Sequence, residues 1–511
     1  MSKLHGLLAL SLVVAACAGS DPGPSSTTAG SAPSSTSPVN VRTVDPRPGA
    51  PGIGDPLYPN LGNGGYDVAH YRLELEVEPA AGMVRGVAAV EAVALHDLSS
   101  FNLDLVGMEV RSVDVAVAER QGAATWRRRG RELVVVPAEP IPAGAVFVVT
   151  VVYEGVPGPV PEGAVPFAPG WRKVGDTIYV FDQPDGAAGW FPANDHPRDR
   201  ATMTLTVTVP EDVVVVSAGE RSSRRVGDGR REYRWVIDDP IAPYLVPLGI
   251  GPFRERAEPP AGSIPVTTWF DPDIPEGRLE PFRRQGEMVE FFAERFGPYP
   301  FERIGALIVE DESLRAALET QEVSTYTSPS LAWGEAVVAH ELAHQWFGDA
   351  VTVARWDDIW LNEGFATFGQ WLWAEHDVGS EVYDRQVMRA YRTMSGLDRA
   401  SSGVPPEDAA RQAREAYPPP DHPRADELFS ASVYQRGGLT LVALRDLVGD
   451  EGVFEVLEEW VRRFGGRSAT TEDFVALVEE RLGAEAAELV TAFVEDPQIP
   501  PMPQRGLAPP G

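Results

Sequence analysis

Residues 337 to 367, VVAHELAHQWFGDAVTVARWDDIWLNEGFAT, restrict the fold more than any other part of the chain. They contain His340-Glu341-Leu342-Ala343-His344 and, after the eighteen residues 345–362, Glu363. Residues four apart on a helix lie one above the other on the same face, so His340 and His344 can aim both imidazoles at one metal ion. Glu341 then lies beside that ion rather than on it. Val337, Val338, Leu342 and Trp346 supply an apolar stripe for burial, and no proline falls between Gly334 and Gly348. Trp360-Leu361-Asn362-Glu363-Gly364-Phe365-Ala366 has the pattern of a second apolar helix with Glu363 in its first turn. Two histidines and a carboxylate make a three-ligand zinc set whose fourth position stays open to water, the pattern of catalytic rather than structural zinc. For the five-residue motif alone, the competing interpretation is a helix with two solvated histidines.

A chain of 511 residues implies two or three domains, and 43% hydrophobic content is enough to fill their cores. The net charge of −31 argues against nucleic acid as a partner. At the start, Lys3 precedes an apolar run from Leu7 to Ala16, which has the length of a signal-peptide core and is too short to span a bilayer. The run ends in Val14-Ala15-Ala16-Cys17, and Cys17 is the sole cysteine. Small residues before a lone cysteine resemble a bacterial lipoprotein signal. That resemblance implies an extracytoplasmic cell-envelope protein touching the membrane only through a lipid on Cys17. An ordinary secretory signal is the alternative. With one cysteine, no intramolecular disulfide is possible. Residues 18–58, rich in Ser, Thr, Pro and Gly, are expected to form a disordered tether.

The grammar then becomes period two. Tyr71, Leu73, Leu75 and Val77 alternate with Arg72, Glu74 and Glu76, and Met203, Leu205, Val207 and Val209 alternate with threonines. Residues 59–255 therefore form an expected all-β domain. From 256 to 496 helices and strands mix. Leu279, Phe282, Val289, Phe292 and Phe296 make a helical face closed by Gly297-Pro298, and Ile304 to Val309 follow as a strand. Gly403 to Asp426, dense in proline and charge, is expected to be a long loop. Ser432 to Gly437 open an apolar helix from Leu439 to Leu447, with two or three more between Val453 and Glu495. Residues 497–511 form a proline-rich tail.

HELAHQWFGD and WLNEGFA, with the Trp190-to-Pro197 stretch WFPANDHP and the segment Ala316-Ala317-Leu318-Glu319-Thr320, resemble the aminopeptidase N family of gluzincin zinc metallopeptidases. The similarity runs from about Tyr66 to Glu495. It implies a multidomain α+β protein, with an N-terminal β-sandwich or saddle domain followed by a thermolysin-like, mainly helical catalytic domain. The chain is expected to be a short form lacking the C-terminal helical domain of larger members.

The resemblance implies one zinc ion on His340, His344 and Glu363, with Glu341 as general base. It also implies that Tyr434 in Tyr434-Gln435-Arg436-Gly437 donates to the oxyanion, with Arg436 where the family has lysine. Glu319, with Ala317 and Gln183, is matched to the site that binds the substrate's free amino group. Around Glu319 the chain departs from the family's Gly-Ala-Met-Glu-Asn at Ala316, Leu318 and Thr320. From the residues alone, Gln183 is equally a turn residue, Glu319 a surface carboxylate and Tyr434 a core tyrosine. His196 is expected to be a turn residue, and His376 and His422 exposed ones.

The function implied is a monomeric zinc aminopeptidase acting on peptides with a free amino terminus. The competing functions are an endo- or oligopeptidase using the same metal, an epoxide-opening enzyme of the same family, and a tethered peptide-binding protein with a vestigial site.

Overall fold

The computed structural model describes residues 45–160, 168–421 and 423–510. The signal-like segment, Cys17, most of the expected tether and His422 lie outside the described residues. The alternation around Tyr71 becomes the strand Tyr66–Glu78, whose Tyr71, Leu73, Leu75 and Val77 are buried while the intervening residues face outward. It lies inside an eight-stranded sheet, pairing antiparallel with Met83–Ala94 and parallel with Ala201–Pro210. A four-stranded sheet containing Leu98–Asp104 and another containing Thr177–Phe181 complete the β-rich part.

The last part of the expected tether is not a tether. Arg47–Pro48 pair in parallel with Leu98–Asp104, and Asp55 is buried. Asp55 Oδ1 accepts the Leu57 and Tyr58 N–H groups, while Oδ2 accepts the Trp356 N–H at 2.8 Å and meets His196 Nε2 at 3.0 Å. His196 Nδ1 takes the Arg198 N–H, so its Nε2 carries the proton that goes to Asp55. A short polar segment with one well-placed carboxylate thus orders itself on donors from two distant parts of the chain, which composition does not register.

From Arg254 the chain enters a mixed five-stranded sheet in the order Arg254–Ala261, Ile264–Phe270, Ile304–Val309, Val323–Thr327 and Ala317–Leu318. Ala317–Leu318 is an edge, with no further strand beyond it among the described residues. The helices are α1 (Gln285–Phe296), α2 (Glu335–His344), α3 (Trp360–Val378), α4 (Ser380–Ser395), α5 (Leu397–Ser401), α6 (Pro406–Ala416), α7 (Gly437–Phe464), α8 (Thr471–Leu482) and α9 (Ala484–Glu495). α7 is kinked at Gly449.

α6 corrects the expected loop at 403–426. Its proline sits in the first turn, where no N–H is needed, Glu407 and Asp408 follow, and Ala409, Ala410 and Ala413 make a buried face. The proline-rich tail is packed too: Met502 is buried, and Arg505 pairs with Asp446 at 2.5 Å. Among the described residues no helix is long and apolar enough to cross a membrane.

Candidate metal centre

α2 starts after Gly334, at φ +62°, and ends in the tight turn leading to Gly348. Val338, Leu342 and Trp346 are buried, and the opposite face turns His340 and His344 into a cleft with their rings nearly perpendicular. Phe365 of α3 packs on Phe347, which brings Glu363 over the histidines.

The two Nε2 atoms are 3.1 Å apart, and Glu363 Oε2 is 3.4 Å from each. Zinc bonds of about 2.0–2.1 Å in a tetrahedron place ligand atoms about 3.3–3.4 Å from one another, so three corners of such a tetrahedron are in place. His344 Nδ1 stands 3.0 Å from the Phe347 carbonyl oxygen; it must donate there, which leaves the Nε2 lone pair for a metal. The residues fit a zinc ion.

Electrostatics support the same assignment. Burial opposes ionisation of Glu363, yet His344 and His340 outweigh it and hold the carboxyl at about 2. Burial would likewise discharge His344, but Glu363, Glu319 and Glu341 push it up to about 10. Three acids around one imidazole form a site that demands positive charge. Glu341 is buried one residue from His340, and burial, reinforced by Glu319 and Glu363, pushes its carboxyl well above the usual range. Ligand-capable atoms of Glu319, Glu341 and His344 lie within 4.8 Å of one another.

The other candidates meet in the same cleft. Its cavity, about 660 Å³, is lined by Gln183, Ala317, Glu319, His340, Glu341, His344, Glu363 and Tyr434 among others. Gln183 Nε2 donates to Glu319 Oε1 at 2.7 Å, so it is not merely a turn residue. Burial raises the Glu319 carboxyl to about 7, and among the described residues no arginine or lysine pairs with it. Ala317 stands on the open edge strand. Tyr434 stacks on His340 with ring centroids 5.9 Å apart, and burial together with Glu363, Glu319 and Glu341 keeps its phenol protonated well beyond the ordinary range. His196 is taken up by Asp55, and His376 is exposed beside Phe291 and Trp373.

Four supports were not anticipated from the sequence. Tyr434 lies in a single π-helical turn, Ser432–Arg436, a local widening that recurs at functional sites. Arg436 is buried and donates to the Phe493 and Asp496 carbonyl oxygens, capping the end of α9 and fixing that turn. Gly364 and Gly437 let the backbones on either side of Glu363 and Tyr434 touch: a Cβ on Gly437 would stand 2.8 Å from the Gly364 Cα. A fourth, Gln345, accepts the Glu322 N–H at 2.8 Å and steadies the loop after Glu319, where Glu322 has φ +62°. The paired glycines were the one signal in the sequence that could have been noticed.

An HExxH helix completed by a glutamate from the next helix defines the zinc metallopeptidase class. Comparison with known proteins narrows this. The Peptidase M1 N-terminal domain matches residues 68–245 and the Peptidase family M1 domain matches residues 281–495. An M1 zinc metallopeptidase from Deinococcus radiodurans, solved with a Tyr-Ser-Ala substrate, is 32% identical; the alignment covers 88% of this chain and 99% of that one, with a TM-score of 0.78. The chain belongs to the M1 family of peptidases.

Among curated relatives, aminopeptidase N of Haemonchus contortus is 26% identical over 339 residues, 63% of this chain and 33% of that protein. Leucyl aminopeptidase of Saccharolobus solfataricus is 27% identical over 348 residues, 64% and 42% respectively. The chain thus spans between a third and a half of the length of these relatives.

Proposed function

We propose that the protein is a zinc-dependent aminopeptidase that removes the first residue of peptides. The carrying observation is Glu319: a buried carboxylate, held by Gln183 and with no arginine or lysine partner among the described residues, in the same cleft as the metal ligands. An ammonium group of a peptide amino terminus supplies the missing charge through a charge-assisted hydrogen bond. The relatives named aminopeptidase, and the tripeptide bound by the Deinococcus protein, support this choice.

Zinc, when bound by His340, His344 and Glu363, acidifies water and polarises a peptide carbonyl. Glu341 takes the proton of the attacking water and returns it to the departing amine. Tyr434 donates its phenolic hydrogen to the oxygen on which negative charge develops. Glu319, Gln183 and the Ala317 edge align the substrate so that its first peptide bond comes to Glu341 and Tyr434, beside the residues that would hold the zinc.

The test is hydrolysis of matched peptides with free and acetylated amino termini, with and without a zinc chelator. Only the free peptides should be cleaved, with activity lost to chelation and restored by zinc. Equal cleavage of the acetylated set would identify an oligopeptidase instead, and zinc-replete protein without turnover would identify a binding protein.

We further infer that the chain is exported and tethered as a monomer through a lipid on Cys17, supported by Lys3, the Leu7–Ala16 run and the sole cysteine. Its replacement, Cys17→Ser, should release the protein from the membrane fraction; a variant that stays there overturns the assignment.

A further inference from the structure

At the mouth of the cleft, Trp333 is 45% exposed, although it is among the largest apolar side chains in the protein. The Arg315 guanidinium lies over its ring, 5.1 Å from the centroid. Both line the catalytic cavity. Arg315 is exposed, and among the described residues no carboxylate pairs with it, in a chain whose net charge is −31 and whose arginines are mostly in ion pairs such as Arg172 with Asp311. A guanidinium with no carboxylate partner, backed by an indole, can bind an anion through two parallel N–H donors.

Two directions along the chain lead from Glu319 towards this pair. Arg315 and Glu319 flank the edge strand Ala317–Leu318, four residues apart, which separates their backbones by at most about 13–14 Å. Along α2, His344 and Glu341 lie beside Glu319, whereas Trp333 precedes the helix and Ala336 and Val337 line the cavity in its first turn. A peptide whose ammonium sits on Glu319 and which runs along the open edge at Ala317–Leu318 at about 3.3 Å per residue comes abreast of the Arg315 backbone within about four residues, and the long Arg315 side chain, which lines the same cavity, meets it one or two residues sooner.

We propose that Arg315, backed by Trp333, receives a substrate carboxylate two to three residues beyond the amino terminus. This makes the enzyme selective for short peptides, tripeptides above all, whose terminal carboxylate falls there. The inference rests on the aminopeptidase reading and specifies its substrate class. The acidic surface elsewhere repels such a carboxylate, so a local cation is what admits it.

The experiment measures kcat/KM for Leu-Gly-Gly, its C-terminal amide, Leu-Gly-Asp amide and leucine p-nitroanilide. The anilide, too short to reach Arg315, reports the underlying reading: if it is not hydrolysed, that reading fails, independently of this one. With the anilide cleaved, the free tripeptide should exceed its amide about tenfold. The preference should shrink at high salt, collapse towards one in Arg315→Ala, and persist in part in Arg315→Lys. A fast Leu-Gly-Asp amide would place the carboxylate on a side chain as well as at the terminus, supporting the same site. Equal rates for the free and amidated tripeptides, or a preference untouched in Arg315→Ala, overturn the proposal.

Discussion

Glu341 and Glu322 are both buried acids, and their surroundings give them different consequences. Glu341 faces the metal ligands, so replacing its carboxylate by an isosteric amide removes the proposed proton carrier while leaving His340, His344 and Glu363 in place. The Glu341→Gln enzyme should lose about 10²–10⁴-fold in kcat and still contain one zinc per chain by metal analysis. Glu322 lies away from the chemistry, with Oε2 accepting the Gly219 N–H, and burial pushes its carboxyl up to about 7. Its folded value is thus above the ordinary 4.5, so the stability it contributes is intact below pH 4.5 and is lost as pH rises towards 7. An amide at this position keeps an acceptor for Gly219 and carries no charge. Glu322→Gln should therefore gain on the parent as pH rises from 4.5 to 7, by up to about 3 kcal/mol, and hold a constant margin above that. Urea denaturation at several pH values reads this directly.

Where α3 meets the π-helical turn before α7, the contact is backbone to backbone through Gly364 and Gly437. No side-chain rotation can relieve an added methyl there. Gly437→Ala should cost about 1–3 kcal/mol of stability and also lower kcat by moving Tyr434 off the metal ligands, seen as a loss of turnover in protein that is still folded and zinc-loaded. At this scale the sequence and structure can be compared element by element. The helix carrying His340 and His344 and the strand carrying Leu73 and Leu75 were legible because each buries one face at a fixed period. α6 was not, because its alanines carry little hydrophobic signal and its prolines suggest a loop unless they are recognised as a first turn. The cap that Arg436 places on α9 was invisible for a different reason: its partners lie 57 and 60 residues away, and a buried arginine in sequence looks like any surface one. The meeting of Gln183 with Glu319, 136 residues apart, is likewise a product of packing, and only the family resemblance hinted at it.

Over the whole molecule, the β-rich part and the zinc-binding part are joined by polar contacts as well as by apolar packing. Thr352 Oγ1 donates to the Pro197 carbonyl, Arg200 donates to the Ala350 carbonyl at 2.7 Å, and Asp55 ties His196 to the backbone at Trp356, just ahead of the helix that carries Glu363. Removing that carboxylate strands several buried donors at once. Asp55→Ala should lower stability by about 2–4 kcal/mol, measured as a fall in urea midpoint, and should loosen zinc retention through Trp356 and α3. The first long strand starts at Tyr66, and trimming the chain to that point looks harmless on a plot of sheet boundaries. Such a shortened protein would leave His196 and the Trp356 amide facing a hole, so the minimal folded unit has to begin ahead of Asp55.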